Sequence, residues 1–571
     1  MLGRSLLHLL IVALQLGSAL AAPAATTPTI RLDSATFQGT SDGTTNKFLG
    51  IPFAKPPTGD LRFRLPVSND PYTGTPVATS YGPACPQQEF KLPLPDGVVT
   101  DAIDFLVNKV YNVITPSSED CLTLNVVTPT GVAAGSKLPV VVWIFGGGFE
   151  IGGTNIYDGG VIVKRSIQLG EPVVYVSMNY RVSAFGFLAG QQVKDAGVGN
   201  LGLQDQRQAL RWIQKYIAAF GGDPTKVTIW GESAGAISVA LHMLANGGNT
   251  EGLFRGGFMQ SGSPIPVGDI THGQKYYDDI VTRTKCSGAS DTLQCLRQVP
   301  YNTLKAAVDD SPGLFAPQSL SLAWLPRADG VFLRDAPQSL VSQGSVANIP
   351  FVTGDCDDEG TLFALSSLNV TTSAQVANYF STYFVPTASS ADIDNIMKLY
   401  PSDITKGSPF DTGIFNAITP QFKRIAAILG DLVFQAPRRF FLEQRSGKQN
   451  TWVFRKWFSF ASAATKTSSE MDFYHTIVSK KLKIVPILGS LHGSDILNVY
   501  GPGDMTDYLI NFVNNLDPNG KTGISWPKYT TASPQILTFS DDLFNPLAIS
   551  TDTYRKDAMS FVTTLSLANP I

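Results

Sequence analysis

The pentapeptide Gly231-Glu232-Ser233-Ala234-Gly235 sets a serine hydroxyl midway between two glycines. That G-x-S-x-G spacing suits a serine standing on a strained strand-to-helix turn, where side chains at the flanking positions would keep strand and helix apart. A serine so exposed attacks a carbonyl carbon once a neighbouring base takes its proton. The pattern occurs twice, since Gly39-Thr40-Ser41-Asp42-Gly43 also fits. Context separates the two. Ser233 follows the apolar run Val227-Thr228-Ile229-Trp230 and opens a helical stretch, whereas Ser41 leads into an extended stretch, 44–53, that contains Pro52. Ser41 is therefore read as part of a hairpin turn.

To act, Ser233 needs oxyanion donors, a base and an acid. Gly146-Gly147-Gly148-Phe149 directly follows the apolar run 138–145. Backbone N–H groups that stabilise a developing oxyanion must approach it closely, and glycine removes the side chain in the way. The run lies one strand–helix unit ahead of Ser233, a position that a plain flexible turn does not account for. Gly147 and Gly148 are thus candidate oxyanion donors, together with the N–H of Ala234, the residue after the nucleophile. An acid and then a histidine are expected downstream. Of five histidines, His8 lies in the N-terminal apolar segment, His242 in the helix after the elbow, and His272 too soon after Ser233 for an acid-bearing strand between. His475 and His492 remain. His492 stands in the loop Gly489-Ser490-Leu491-His492-Gly493 behind the apolar run 482–488, which reads as a strand, while His475 precedes that run among charged and aromatic residues. His492 is the candidate base. The acid should follow a strand, and the run 350–353 leads into Gly354-Asp355-Cys356-Asp357-Asp358-Glu359-Gly360. Spacing does not choose among those four carboxylates; the three not used are expected in solvent or in local turns.

These residues need a scaffold. Strand-like runs at 138–145, 172–178, 226–230, 349–353 and 451–457, with 482–488, alternate with helical stretches at 203–220 and 236–244. Such alternation implies a mostly parallel sheet covered by helices on both faces. No repeat and no Pro-, Gly- or Ser-rich linker divides the chain, so residues 22–571 are read as one domain. Gly197-Val198-Gly199-Asn200-Leu201-Gly202 opens a helix but lacks the preceding strand and the following acid of a dinucleotide site, so no nucleotide cofactor is expected. With 43 Lys+Arg against 46 Asp+Glu and no run of five like charges, no nucleic-acid partner is expected.

The N-terminus carries Arg4, an apolar stretch from Leu6 to Leu16 and the small-residue site Ala19-Leu20-Ala21, so residues 1–21 read as a cleaved secretory signal. No later run is long enough to span a membrane. Secretion permits disulfides. Cys286 and Cys295 flank a short Gly/Ser segment as a local pair, and Cys85 and Cys121 then close a longer loop, leaving Cys356. No Cys/His cluster suggests a metal. Asn369-Val370-Thr371 is a glycosylation sequon. Inside the loop about 86–120, Val99, Ile103, Leu106, Val107, Val110 and Ile114 recur at helical spacing. They are expected to form a helical lid that opens at a lipid–water interface; the alternative is a fixed surface helix. Leu362, Phe363, Leu365 and Leu368 are candidates for an acyl-chain tunnel or for ordinary core. The oligomeric state is expected to be a monomer or a weak homodimer.

Taken together these motifs resemble the type-B carboxylesterase/lipase family, α/β-hydrolases that include cholinesterases and secreted fungal lipases and sterol esterases. The likeness rests on Phe220-Gly221-Gly222 through Gly231-Glu232-Ser233-Ala234-Gly235, on Glu119-Asp120-Cys121-Leu122-Thr123-Leu124-Asn125-Val126, on Asn179-Tyr180-Arg181 and on Gly199-Asn200-Leu201-Gly202-Leu203-Gln204-Asp205. It runs from about Ile30 to near the C-terminus. The resemblance implies an α/β-hydrolase fold, Glu359 as the acid, Gly147 and Gly148 as oxyanion donors, and the pairs Cys85–Cys121 and Cys286–Cys295. It also implies a buried supporting role for Glu232. The expected activity is hydrolysis of long-chain acylglycerols or steryl esters without metal or organic cofactor. Two other readings stand beside it: an esterase for small soluble esters, and a non-catalytic adhesion module of the same fold, which would lack the serine.

Overall fold

The structure, a computed structural model, describes residues 27–89, 115–457, 486–540 and 545–571. The expected signal segment, most of the expected lid (90–114) and His475 lie outside the described residues. The strands are β1 (Thr29–Leu32), β2 (Ala35–Gln38), β3 (Thr40–Ser41), β4 (Thr45–Pro52), β5 (Thr123–Pro129), β6 (Leu138–Ile144), β7 (Val174–Met178), β8 (Gly222–Glu232), β9 (Gly256–Gln260), β10 (Phe351–Cys356), β11 (Thr451–Lys456), β12 (Gln535–Phe539) and β13 (Leu547–Thr551). β1 and β2 pair with each other, and the rest form one sheet in the order β13-β12-β11-β10-β9-β8-β6-β7-β5-β4-β3. From β7 to β12 every neighbouring pair is parallel. Antiparallel strands finish both edges.

The parallel block follows from composition. β6 reads Leu-Pro-Val-Val-Val-Trp-Ile, and from Pro139 on every residue is buried. A strand apolar on successive residues needs cover on both faces, and helices supply it. Helix Ala234–Gly248 packs on β8 and β9, and helix Gly159–Leu169 on β5 and β7. The sheet centre is sealed by aromatic rings, Trp143 and Trp230 with centroids 4.3 Å apart. This is the α/β-hydrolase fold.

Several sequence boundaries shift. The helix expected at 203–220 is Leu201–Tyr216 followed by a 3-10 turn, Ile217–Phe220, ended by Gly221 in the left-handed region. The strand expected at 482–488 is corrected within the described part: Pro486–Leu488 is a 3-10 helix. Proline has no N–H for a ladder, and Gly489 at φ +68° turns the chain at once. Ser41 lies at the β3–β4 hairpin, where its Oγ donates to the Thr45 carbonyl. The glycines at 199 and 202 serve packing: a Cβ on Gly202 would lie 2.4 Å from the Arg181 carbonyl oxygen. Disulfides join Cys85 to Cys121 and Cys286 to Cys295, and Cys356 is a buried free thiol.

Candidate active site

β8 delivers Ser233 to the carboxyl end of the parallel strands, and the helix Ala234–Gly248 starts on the next residue. Between them Ser233 holds φ 56°, ψ −126°, a conformation few non-glycine residues adopt. Its N–H is tied to the Gln260 carbonyl at 2.8 Å. The flanking glycines are required by contact: a Cβ on Gly235 would stand 2.0 Å from the Ile144 carbonyl oxygen, and one on Gly231 2.4 Å from the Gly235 carbonyl carbon.

Three loops converge on the serine. His492 Nε2 lies 2.7 Å from Ser233 Oγ, and His492 Nδ1 lies 2.5 Å from Glu359 Oε2. A serine hydroxyl donating to Nε2 requires the hydrogen of the neutral ring to sit on Nδ1, where it is donated to Glu359. The other carboxylate oxygen, Oε1, accepts the Cys356 N–H at 2.6 Å. The imidazole packs against the stacked pair Phe434 and Phe363, with ring centroids 4.7 and 5.1 Å away. Gly147 (φ 110°) and Gly148 (φ 64°) line the same space, as does Ala234 at the first position of its helix, where N–H groups lack an intrahelical acceptor.

The charges around His492 are unequal. Burial opposes protonation of its imidazole, but the Glu359 carboxylate outweighs that and raises its pKa. Glu232 Oε1 lies 3.5 Å from His492 Nε2. Burial pushes Glu232 up to about 8 against the opposing pull of His492, so it holds a proton in neutral solution. Asp495, pushed by burial to about 6, accepts the Gln260 side-chain N–H at 2.8 Å. Glu359, which both faces and bonds the ring, contributes more of the rise than Glu232 or Asp495.

The remaining acids of the 355–359 loop are not solvated, a correction to the sequence reading. Asp355 pairs with Arg438 at 2.8 Å and Asp357 with Arg455 at 2.6 Å. Asp358 accepts from Ser408 Oγ at 2.8 Å and from the N–H groups of Phe410 and Ser490 at 2.9 Å. A carboxylate can be buried only with such donors, and these come from 50 to 132 residues away, beyond any local pattern. Asp358 in this way clamps the His492 loop. Sequence reasoning also missed Gln260, Asp495 and Phe434. Phe434 stands in a π-helical turn, Asp431–Gln435, which has no residue signature. Of the other histidines, His242 is buried with Nε2 2.8 Å from Gln206 Oε1, and His272 sits in a 3-10 turn. Asn369 is exposed in the turn before the helix Ser373–Tyr383.

A cavity of about 250 Å³ opens on Ser233. Its walls are apolar: Leu314, Leu320, Leu322 and Leu325 from one loop, Val433 and Phe434 from the π turn, Ile265 and Val267 after β9, and Ile571. Leu362 and Phe363 line it; Leu365 and Leu368 instead pack against the general core. Among the described residues no cluster of His, Cys, Asp and Glu is arranged for a metal ion, and no helix is long and apolar enough to cross a membrane.

The profile of the carboxylesterase family matches residues 26–561. Lipase 2 of Diutina rugosa is 44% identical over 559 residues, covering 95% of this chain and 97% of that protein. Secreted lipase 1 of Botryotinia fuckeliana (strain B05.10) is 43% identical over 527 residues, covering 89% of this chain and 88% of that one. Among solved structures, Aspergillus niger EstA superposes with a TM-score of 0.77 at 28% identity, covering 95% of this chain and 99% of EstA. The chain belongs to the carboxylesterase family and is a carboxylic ester hydrolase.

Proposed function

We propose that the chain is a secreted lipase or sterol esterase that hydrolyses long-chain acylglycerols or steryl esters through Ser233, His492 and Glu359. The observation that carries this reading is the hydrogen-bonded line from Ser233 Oγ through His492 to Glu359 at the floor of an almost wholly apolar cavity. His492 Nε2 takes the Ser233 proton as Oγ adds to the ester carbonyl carbon. The Gly147, Gly148 and Ala234 N–H groups stabilise the resulting oxyanion, each donor being worth about 10²–10³ in rate. His492 then protonates the departing alkoxide, and a water activated by the same nitrogen releases the acid. Glu359 keeps the imidazole tautomer and balances the imidazolium charge. Leu362, Phe363, Val433 and Phe434 take the acyl chain, which loses its water-exposed surface at a gain of about 0.8 kcal/mol per methylene. Secretion is supported by the relative named as a secreted lipase and by the two disulfides.

The test joins nucleophile and substrate. Ser233→Ala should lose about 10⁶ in kcat and all labelling by a fluorophosphonate probe, while Ser41→Ala keeps both. Across tributyrin, triolein, cholesteryl oleate and a soluble acetate ester, kcat/KM should rise with acyl length. A preference for the acetate would assign the site to small soluble esters instead.

A further inference from the structure

Beyond the loop that carries Gly147 and Gly148, Glu150 turns its side chain into the protein, only 3% exposed and outside the cavity lining. Its Oε2 accepts the Leu314 N–H at 2.8 Å. Its Oε1 has no partner among the described residues. Gln88 donates its backbone N–H to the Glu150 carbonyl at 2.9 Å, and the Gln88 side-chain Oε1 is likewise buried without a partner. Both side chains flank Gly313, where an added Cβ would lie 3.4 Å from Gln88 Nε2 and 3.5 Å from Glu150 Oε2.

The orientation of the Gln88 amide is decided by Ser311. The Ser311 hydroxyl donates to the Val308 carbonyl at 2.5 Å and accepts from Trp324 Nε1 at 3.0 Å and from Gln88 Nε2 at 3.1 Å. The same Nε2 donates to the Ser311 carbonyl at 2.9 Å. Turning the amide over would set its oxygen against that carbonyl, so Oε1 must face away and find a donor elsewhere. Two buried oxygens, on side chains whose backbones are hydrogen-bonded to each other, therefore each lack a donor among the described residues.

We propose that Glu150 is protonated in the working enzyme, donates its acid O–H to Gln88 Oε1, and as a neutral carboxyl acts as a positioning residue for the oxyanion loop. It joins three pieces at once: the turn in which Glu150 and Ile151 donate back to the Gly147 carbonyl, the Gln88 segment, and Leu314, the side chain nearest a Cβ placed on Gly148, at 3.3 Å. The role rests on reading Gly147 and Gly148 as oxyanion donors; the protonation does not. Burial pushes the Glu150 carboxyl well above the usual range, opposed only in part by the Leu314 N–H. The charged groups on the packed segments do not favour ionisation: Glu89 follows Gln88, Asp309 is paired with Lys305 and Asp310 with Arg283, and Glu232 and His492 occupy the catalytic side.

Glu150→Gln and Glu150→Ala in the full chain test this. A glutamine accepts from Leu314 and donates to Gln88, so Glu150→Gln should keep kcat within about twofold, whereas Glu150→Ala should lose about tenfold or more in kcat with KM little changed. Infrared difference spectra of wild type minus Glu150→Gln at neutral pH should show a protonated-carboxyl C=O band. The folded state keeps a proton that the unfolded chain releases above the ordinary glutamate value of 4.5, so wild-type stability falls with rising pH above that point. Glu150→Gln should lack this slope, its advantage widening by up to about tenfold in the folding constant per pH unit. An ionised carboxylate band, or equal pH slopes in the two proteins, overturns the protonation even if Glu150→Ala does not fold. Glu150→Gln impaired as severely as Glu150→Ala, or Glu150→Ala fully active, overturns the positioning role. Failure of the underlying active-site reading would show separately, as a Ser233→Ala enzyme that retains activity.

Discussion

His492 has three carboxyl groups around it, and their hydrogen bonds rank them. Glu359 alone has an N–H donor on each oxygen, from His492 and from Cys356. Glu232 stays protonated and Asp495 leans on Gln260. The imidazole's raised pKa is therefore chiefly the work of Glu359. With His492 as the proposed base, which must be neutral to act, that charge sets where activity appears as pH rises. In Glu359→Gln the charge is gone, the imidazolium loses its stabilising partner, and His492 gives up its proton at lower pH. The acid limb of the kcat/KM profile should move downward. The plateau should fall by about 10⁴, because the amide donates to Nδ1 and forces the wrong tautomer on the ring. An unmoved limb would assign the histidine's partner to Glu232 or Asp495.

At the scale of elements, the elbow shows why a short motif carries weight in one context and none in another. β6, β8 and the helix after Ser233 meet so closely that no Cβ fits at Gly231 or Gly235, whereas in the second G-x-S-x-G only Gly39 is crowded, by Lys47 and Phe48, and Gly43 would meet nothing within 4 Å. Gly235→Ala should therefore destabilise the fold by about 1–3 kcal/mol through overpacking and shift Ser233, the proposed nucleophile, seen as a lower denaturation midpoint with reduced kcat. Gly288→Ala, inside the Cys286–Cys295 loop with free space around it, should stay within about 0.5 kcal/mol of wild type. Equal effects would mean that the elbow relaxes around the added methyl.

At the scale of the whole molecule, the site is held by contacts between distant parts of the chain. Arg438 pairs with Asp552 just past β13 and with Asp355 at the end of β10, and Arg439 joins the same Asp552 carboxylate at 2.6 Å. Gln435, one turn earlier, donates to the Cys356 carbonyl at 2.7 Å. A line of polar contacts thus runs from the edge hairpin to the loop that carries Glu359. With two arginines on it, Asp552 stays ionised far below the ordinary carboxylate range despite its burial. Removing it strands two buried guanidinium groups, so Asp552→Ala should cost about 3–5 kcal/mol in chemical denaturation. A loss below about 1 kcal/mol would show that water reaches the cluster and replaces the carboxylate.

The sequence by itself determined the nucleophile candidate, the glycine loop ahead of it and the alternation of elements, because each depends on chemistry within a few residues. A glycine is needed where backbones touch, a run of valines where a strand is buried on both faces, a proline or glycine where an element stops. It also narrowed the histidines to His492 by loop position. Spacing left open which acid of the 355–359 loop meets His492, and only the family resemblance pointed to Glu359; the tertiary structure sets Glu359 against the ring, because four carboxylates in five residues differ not in type but in which distant donor each one reaches. The π turn that brings Phe434 onto the imidazole, the 3-10 turn Pro486–Leu488 where the end of a strand was expected, and the orphan oxygens of Gln88 and Glu150 were settled by the tertiary structure alone. Those features depend on which groups come to share a buried space, and a buried polar atom is satisfied by whatever the fold sets beside it, however far away in the chain.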